Sequence, residues 1–370
     1  MTHGLVTTDD VSDRSGQTPL YRILVIGPSW VGDTVLAQPL FRRLHQRHAQ
    51  LALDVLAPHW TLPLLRRMPE VSDTIASPFG HGELELSQRW RLAGQLRARG
   101  YDQALVLPNS FKSALIPRFG GIPLRTGYTG EFRYPLLNDT RHLDERALPL
   151  MAERFAALAD PPGTALARPL PPLRLTVSES ARAALLDRLG LTLGSPVAAL
   201  CPGAEFGPAK RWPPGYFAEL ARRLQRDGYQ VWVIGSAKER ALGDEIAVSS
   251  GDDCVNLCGR TALDEVVDLL SCARVVVSND SGLMHVAAAL DLPMLALYGS
   301  SSPAFTPPLS RQATVLKLDL PCSPCYKREC PLQHFNCMVQ LTPERVYAAV
   351  AERVMTTAQR VPDPTTTIQP

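Results

Sequence analysis

The sequence predicts an α/β protein of two halves, each built on a parallel sheet, with a ligand cleft between them. Strand-length apolar runs alternate with helical patterns along the whole chain, the grammar of βαβ units. Two of those runs, Ile23-Leu24-Val25-Ile26 and Val275-Val276-Val277, each lead into a small-residue turn and then a helical pattern. The turns are Gly27-Pro28-Ser29-Trp30-Val31-Gly32-Asp33 and Ser278-Asn279-Asp280-Ser281-Gly282-Leu283-Met284-His285. Such a junction aims backbone N–H groups and the positive end of a helix dipole at a phosphate or a developing negative charge.

In the first half, strands are expected near 22–27, 51–57 and 103–107, with helices near 33–48, 60–67 and 87–99. The proline clusters Asp160-Pro161-Pro162-Gly163 and Pro169-Leu170-Pro171-Pro172 cannot continue a helix and mark a stiff connector. The second half restarts with a helix near 178–189, a strand at 196–201, a helix near 214–227 and strands at 230–234, 274–278 and 294–298. A final helix over 343–355 takes Thr342 as N-cap and Pro343 at its first position.

A length of 370 residues leaves room for two cores. Composition is that of an ordinary globular chain, 45% apolar and 20% charged. The formal net charge of +2 is too small for binding nucleic acid through bulk charge, so no such partner is expected. Apolar runs are too short and broken to span a bilayer. Residues 1–20 lack the apolar core of a signal peptide and read as a disordered extension. A cytoplasmic chain with its eight cysteines reduced follows as the expectation.

Residues 201–213, Cys-Pro-Gly-Ala-Glu-Phe-Gly-Pro-Ala-Lys-Arg-Trp-Pro, also follow a strand and precede a helix. Lys210 can neutralise a leaving phosphate there, or be a solvated loop cation. Glu239, just past a strand end, suits a ribose hydroxyl or simply the first turn of a helix. Asp33 can serve as a general base toward the cleft or merely complement a helix dipole. Ser281 and His285, four apart, share a helix face. Neither Gly-x-Gly-x-x-Gly nor a Walker Gly-Lys-Ser/Thr occurs at these turns, which argues against nicotinamide and P-loop chemistry.

Taken together, Gly27–Leu40, Cys201–Pro213, Ser278–Ala289 and the cysteine-rich Cys322–Cys337 resemble the ADP-heptose lipopolysaccharide heptosyltransferases of glycosyltransferase family 9, over about residues 22–350. The resemblance implies the GT-B fold, α/β with two Rossmann-like doubly wound domains facing each other across a cleft. Residues 21–168 would bind acceptor and 169–355 donor, with 1–20 and 356–370 disordered. It further implies inverting transfer of L-glycero-D-manno-heptose from ADP-heptose to heptosyl-Kdo2-lipid A, without cofactor or bound metal. By position, Asp33 corresponds to the base, Lys210 to the donor-phosphate lysine and Glu239 to the acid on the adenosine ribose. Asp280, Ser281, Gly282 and His285 fall on the loop that holds diphosphate and heptose. Lys112, Arg118, Arg125 and Arg133 are candidate contacts for acceptor carboxylates and phosphates, or ordinary surface cations. A different core step, or a non-catalytic lipopolysaccharide-binding protein on the same fold, are the alternatives. A base paired with a phosphate-neutralising lysine argues against the latter.

Cys322-x2-Cys325-x4-Cys330-x6-Cys337 has one zinc-like gap and otherwise irregular spacing, so free thiols packing a loop are expected. A lipid-linked acceptor without a membrane span implies peripheral attachment to an anionic inner-membrane surface. The expected patches are Arg42, Arg43, Arg47 and His48, then Trp60, Arg66 and Arg67, then Arg89-Trp90-Arg91.

Overall fold

The computed structural model describes residues 20–80, 83–251 and 253–358. The expected disorder at 1–20 and 356–370 lies outside the described residues, except for Leu20 and the end of the last helix. That helix, Pro343–Ala358, runs past the expected boundary at 355.

Two six-stranded sheets organise the chain. The first contains β1 (Tyr21–Ile26), β2 (Leu51–Pro58), β3 (Asp73–Ser77), β4 (Gln103–Val106), β5 (Leu124–Tyr128) and β6 (Asp139–Arg141), in the order β3-β2-β1-β4-β5-β6. The second contains β7 (Val197–Cys201), β8 (Gln230–Val233), β9 (Cys254–Asn256), β10 (Ala273–Asn279), β11 (Met294–Leu297) and β12 (Ala313–Leu316), in the order β12-β11-β10-β7-β8-β9. Every strand pairing is parallel. Both sheets therefore wind the same way, outward from a central strand and then back across it. The reversal falls between β1 and β4 in one and between β7 and β10 in the other. Ligands of doubly wound sheets sit beyond the carboxyl ends of the strands at that point.

Helices cover both faces, so central strands are buried on both sides and read as continuous apolar runs. Ile23, Leu24 and Val25 are fully buried, as are Val275, Val276 and Val277. Outer strands lack that signature. β3, β6, β9 and β12 are short or half-exposed and escape a search for apolar runs. In β5, Gly127 breaks the run because a Cβ there would press on Leu137 and the Val106 carbonyl at 3.1 and 3.2 Å.

The helix expected over 33–48 is two, Val31–Leu36 and Gln38–Arg47, since Pro39 has no N–H to continue the first. The expected 60–67 helix is a single turn, Leu62–Leu65. Helix Glu179–Leu189 starts at Ser178, whose side chain accepts the Ala181 N–H, and Thr342 Oγ1 accepts the Arg345 N–H at 3.5 Å as expected of its cap.

Several cations expected to face lipid instead fasten the molecule together. Arg43 and Arg47 pair with Asp160, Arg42 donates to the Pro172 carbonyl and pairs with Glu70, and Arg67 grips Asp268 of the second half with both Nη atoms. These guanidiniums are spent on the connector and on the junction of the halves. They correct the expectation that this stretch is a lipid-facing patch.

Candidate active site

Both sequence motifs lie at the reversal points, on loops that follow β1 and β10. The helices they open, Val31–Leu36 and Gly282–Ala289, meet across the cleft between the halves. Two glycines permit this approach. A Cβ on Gly282 would sit 2.8 Å from Val31 Cβ, and one on Gly32 would sit 2.8 Å from His285 Cδ2. Glycine at both positions is thus explained by each backbone lying against a side chain of the other motif.

Asp33 enters the cleft from the first turn of its helix. Burial, opposed by Lys210 and reinforced by Asp280, raises its carboxyl to about 6. Opposite, Lys210 Nζ donates to Asp280 Oδ2 at 2.6 Å, and Ser301 Oγ donates to the same oxygen. Asp280 is only 4% exposed, so its carboxylate is committed to holding the lysine. Lys210 also lies 5.0 Å from the Phe206 ring centroid.

His285 is 4% exposed and its Nδ1 has no hydrogen-bond partner. Burial drives its imidazole down to about 4, so the ring is neutral near pH 7. Ser281 caps the helix without a side-chain bond, its Oγ 3.4 Å from Ser278 Oγ. Asn279 ties the loops together by accepting the Trp212 N–H at 3.1 Å and donating to the Pro202 carbonyl at 2.7 Å.

Glu239 lies beyond β8 and accepts the Ser236 N–H through Oε2 at 2.6 Å. Its Oε1 leans over Gly203, where any Cβ would come within 2.1 Å. The loops after β7 and β8 therefore close around one carboxylate.

On the other side of the cleft, a cavity of about 410 Å³ opens over the carboxyl ends of β1, β2 and β4. Its lining includes Ser29, Trp60, Arg89, Asn109, Ser110 and Lys112.

The family model "Glycosyltransferase family 9 (heptosyltransferase)" matches residues 89–336. Lipopolysaccharide heptosyltransferase 2 of Escherichia coli (strain K12) is 50% identical over 88% of this chain and 96% of its own. Lipooligosaccharide heptosyltransferase 2 of Haemophilus influenzae is 47% identical over 80% of this chain and 88% of its own.

The chain belongs to glycosyltransferase family 9.

The solved structure of the E. coli ADP-heptose lipopolysaccharide heptosyltransferase II superposes with a TM-score of 0.82 at 46% identity, over 91% of this chain and 99% of that one. A family 9 protein from Veillonella parvula superposes at 0.81 with only 20% identity, covering 93% and 100%, and shows the shared GT-B fold.

Within this family 9 fold, the expected acceptor cations separate. Lys112 lines the cavity. Arg133 is fully buried and donates to the Tyr128 and Pro108 carbonyls and to Asn109 Oδ1, so it shapes the loop after β4 and has no free donor face for a ligand. Arg125 pairs in register with Ala104 near the amino end of the strands, and its guanidinium is taken by the Leu136 and Ile122 carbonyls. Arg118 is beside it at the far end of helix Phe111–Phe119. These three expectations are corrected: nearness to loops in sequence does not say which end of the sheet a loop occupies.

Sequence reasoning placed Trp60 in a lipid-facing patch, whereas it lines the cavity, and missed Asn109, Ser110 and Ser301. The strand-end rule applied to 103–107 would have found Asn109 and Ser110; Ser301 carries no local signal. Cys322, Cys325, Cys330 and Cys337 are free and line one small cavity of about 20 Å³. Among the described residues, no group of three or more Cys, His, Asp or Glu is placed to hold a metal ion. The cysteine loop braces the loops of the second half, with the Arg328 carbonyl accepting the Ala209 N–H at 3.0 Å and Ser323 Oγ donating to the Gly299 carbonyl at 2.7 Å.

Proposed function

We propose that this chain is an inverting heptosyltransferase that moves heptose from ADP-heptose onto the heptosyl-Kdo2-lipid A inner core. The observation that carries the assignment is Asp33, raised to about 6, facing the Lys210–Asp280 pair between two reversal points. A carboxyl so placed is mostly ionised at neutral pH, yet basic enough to take a proton in the transition state.

In this reading residues 21–168 bind the acceptor and 169–355 the donor. The acceptor hydroxyl oxygen bonds to the anomeric carbon on the face opposite ADP, and its proton passes to Asp33. The bond between the anomeric carbon and the phosphate oxygen breaks, its electron pair leaving with ADP. Lys210 and the N–H groups at Ser281 and Gly282 meet the charge that builds on the diphosphate. Asp280 and Ser301 fix the lysine and do not touch the anion themselves. Neutral His285 offers Nδ1 to a sugar hydroxyl, and Glu239 Oε1 accepts a ribose hydroxyl. The 410 Å³ cavity, with Lys112 at its wall, receives the anionic acceptor sugars. The enzyme would work peripherally at the cytoplasmic face of an anionic inner membrane.

Mass spectrometry of the product from ADP-heptose and a defined core acceptor tests this reading. One added heptose with inverted anomeric configuration is expected. No transfer, or transfer only from another nucleotide sugar, would overturn it.

A further inference from the structure

Large apolar side chains lie exposed along one continuous surface beside the acceptor cavity. Leu84 and Leu86 open helix Leu86–Arg97, and Trp90 on that helix is 61% exposed, resting 5.1 Å from the Phe119 ring. Phe111 starts the neighbouring helix, and Phe132, 88% exposed, stands on the adjoining loop. Hydrogen bonds make this one surface. Arg89 links the Glu83, Leu84 and Lys112 carbonyls, and the Phe111 N–H donates to Glu131 Oε2 at 2.8 Å. Glu131 and Phe132 both have left-handed backbone, φ 36° and 54°, which holds the phenyl ring outward at a conformational cost.

The charge on this face is mainly positive. Helix Leu86–Arg97 exposes Arg91 and Arg97, with Arg89 buried beneath them, helix Phe111–Phe119 bears Lys112 and Arg118, and neither contains Asp or Glu. Two exposed carboxylates lie at the edge, each accepting a backbone N–H, Glu83 that of Gly80 and Glu131 that of Phe111. Exposed aromatics among an excess of cations suit the interface of an anionic bilayer, where rings bury in the headgroup region and guanidiniums meet phosphates.

We propose that the outer face of these two helices, with Phe132 at its tip, is a bilayer-docking surface. It sets the acceptor cavity against the membrane, so a lipid-anchored sugar reaches it without leaving the lipid. The proposal rests on the acceptor being lipid-linked, and it replaces the lipid-facing role expected of Arg42, Arg43, Arg47 and Arg67.

The test is flotation of the whole protein with phosphatidylglycerol-containing vesicles and with phosphatidylcholine vesicles. Wild type should float with the anionic vesicles, less at high salt. The variant Leu86→Ser/Trp90→Ser/Phe132→Ser should partition about tenfold less or lower, while turnover of a deacylated, soluble core acceptor stays unchanged. As a check needing no folded triple variant, bromine-labelled acyl chains should quench wild-type fluorescence, and Trp90→Phe should lose most of that quenching. Equal flotation of the triple variant and wild type, or no quenching of wild type, would overturn the docking surface. A wild type that transfers heptose to soluble acceptor but never floats refutes docking alone; one that floats but never transfers refutes the catalytic reading alone.

Discussion

Replacing Asp33 with Asn should make the protein more stable and nearly inactive. Burial raises this carboxyl from 3.8 to about 6. A shift of about two units corresponds to roughly 3 kcal/mol of preference for the protonated form in the folded state. The raised value means that the native state holds a proton the unfolded chain has lost. The stabilisation is complete below pH 3.8, declines as pH rises toward 6, and is absent above it. At pH 8 the wild type folds with an ionised, buried carboxylate, and an isosteric amide removes that cost. Urea unfolding should therefore find Asp33→Asn more stable by up to ~3 kcal/mol at pH 8, with the gap shrinking toward pH 4. Turnover at pH 8 should fall ~10²–10⁴-fold, as expected for loss of a general base. The wild-type kcat/KM profile should show an acid limb near the value of about 6. A stability gap that ignores pH, or near-normal kcat in the amide variant, would refute the reasoning.

Three further expectations concern the second half of the chain. Lys210→Met strands the Asp280 carboxylate with only Ser301, so stability should drop ~3–5 kcal/mol, and adding Asp280→Asn should restore the melting temperature without restoring turnover. Gly282→Ala places a Cβ 2.8 Å from Val31 Cβ, and should cost ~1–3 kcal/mol in denaturant titration while lowering kcat through the displaced motifs. Glu239→Gln should raise the donor KM more than it lowers kcat, and calorimetry should show weaker ADP binding; unchanged binding would remove Glu239 from the ribose site.

Much of the architecture was legible because parallel central strands must be apolar on both faces. β1, β2, β7 and β10 announced themselves that way, and their turns carried the two motifs. Edge strands such as β6 and β9 are short and half-exposed, so they offered no comparable signal. The broken first helix was readable in principle, because Pro39 alone forces the interruption.

The sequence by itself determined the parallel α/β class in two halves, the occurrence of two strand–turn–helix junctions and the residue types suited to an anion. Those are local properties, set by periodicity, capping and backbone conformation. Tertiary structure decided the rest, since pairing across the cleft has no local signature. It placed Gly32 against His285 and Gly282 against Val31, joined Asp280 to Lys210, and brought in Ser301 from the next strand end. It also sorted the arginines. A guanidinium in sequence is only a charge, and whether it meets a ligand, a carbonyl or the other half of the molecule depends on which end of the sheet the fold carries it to.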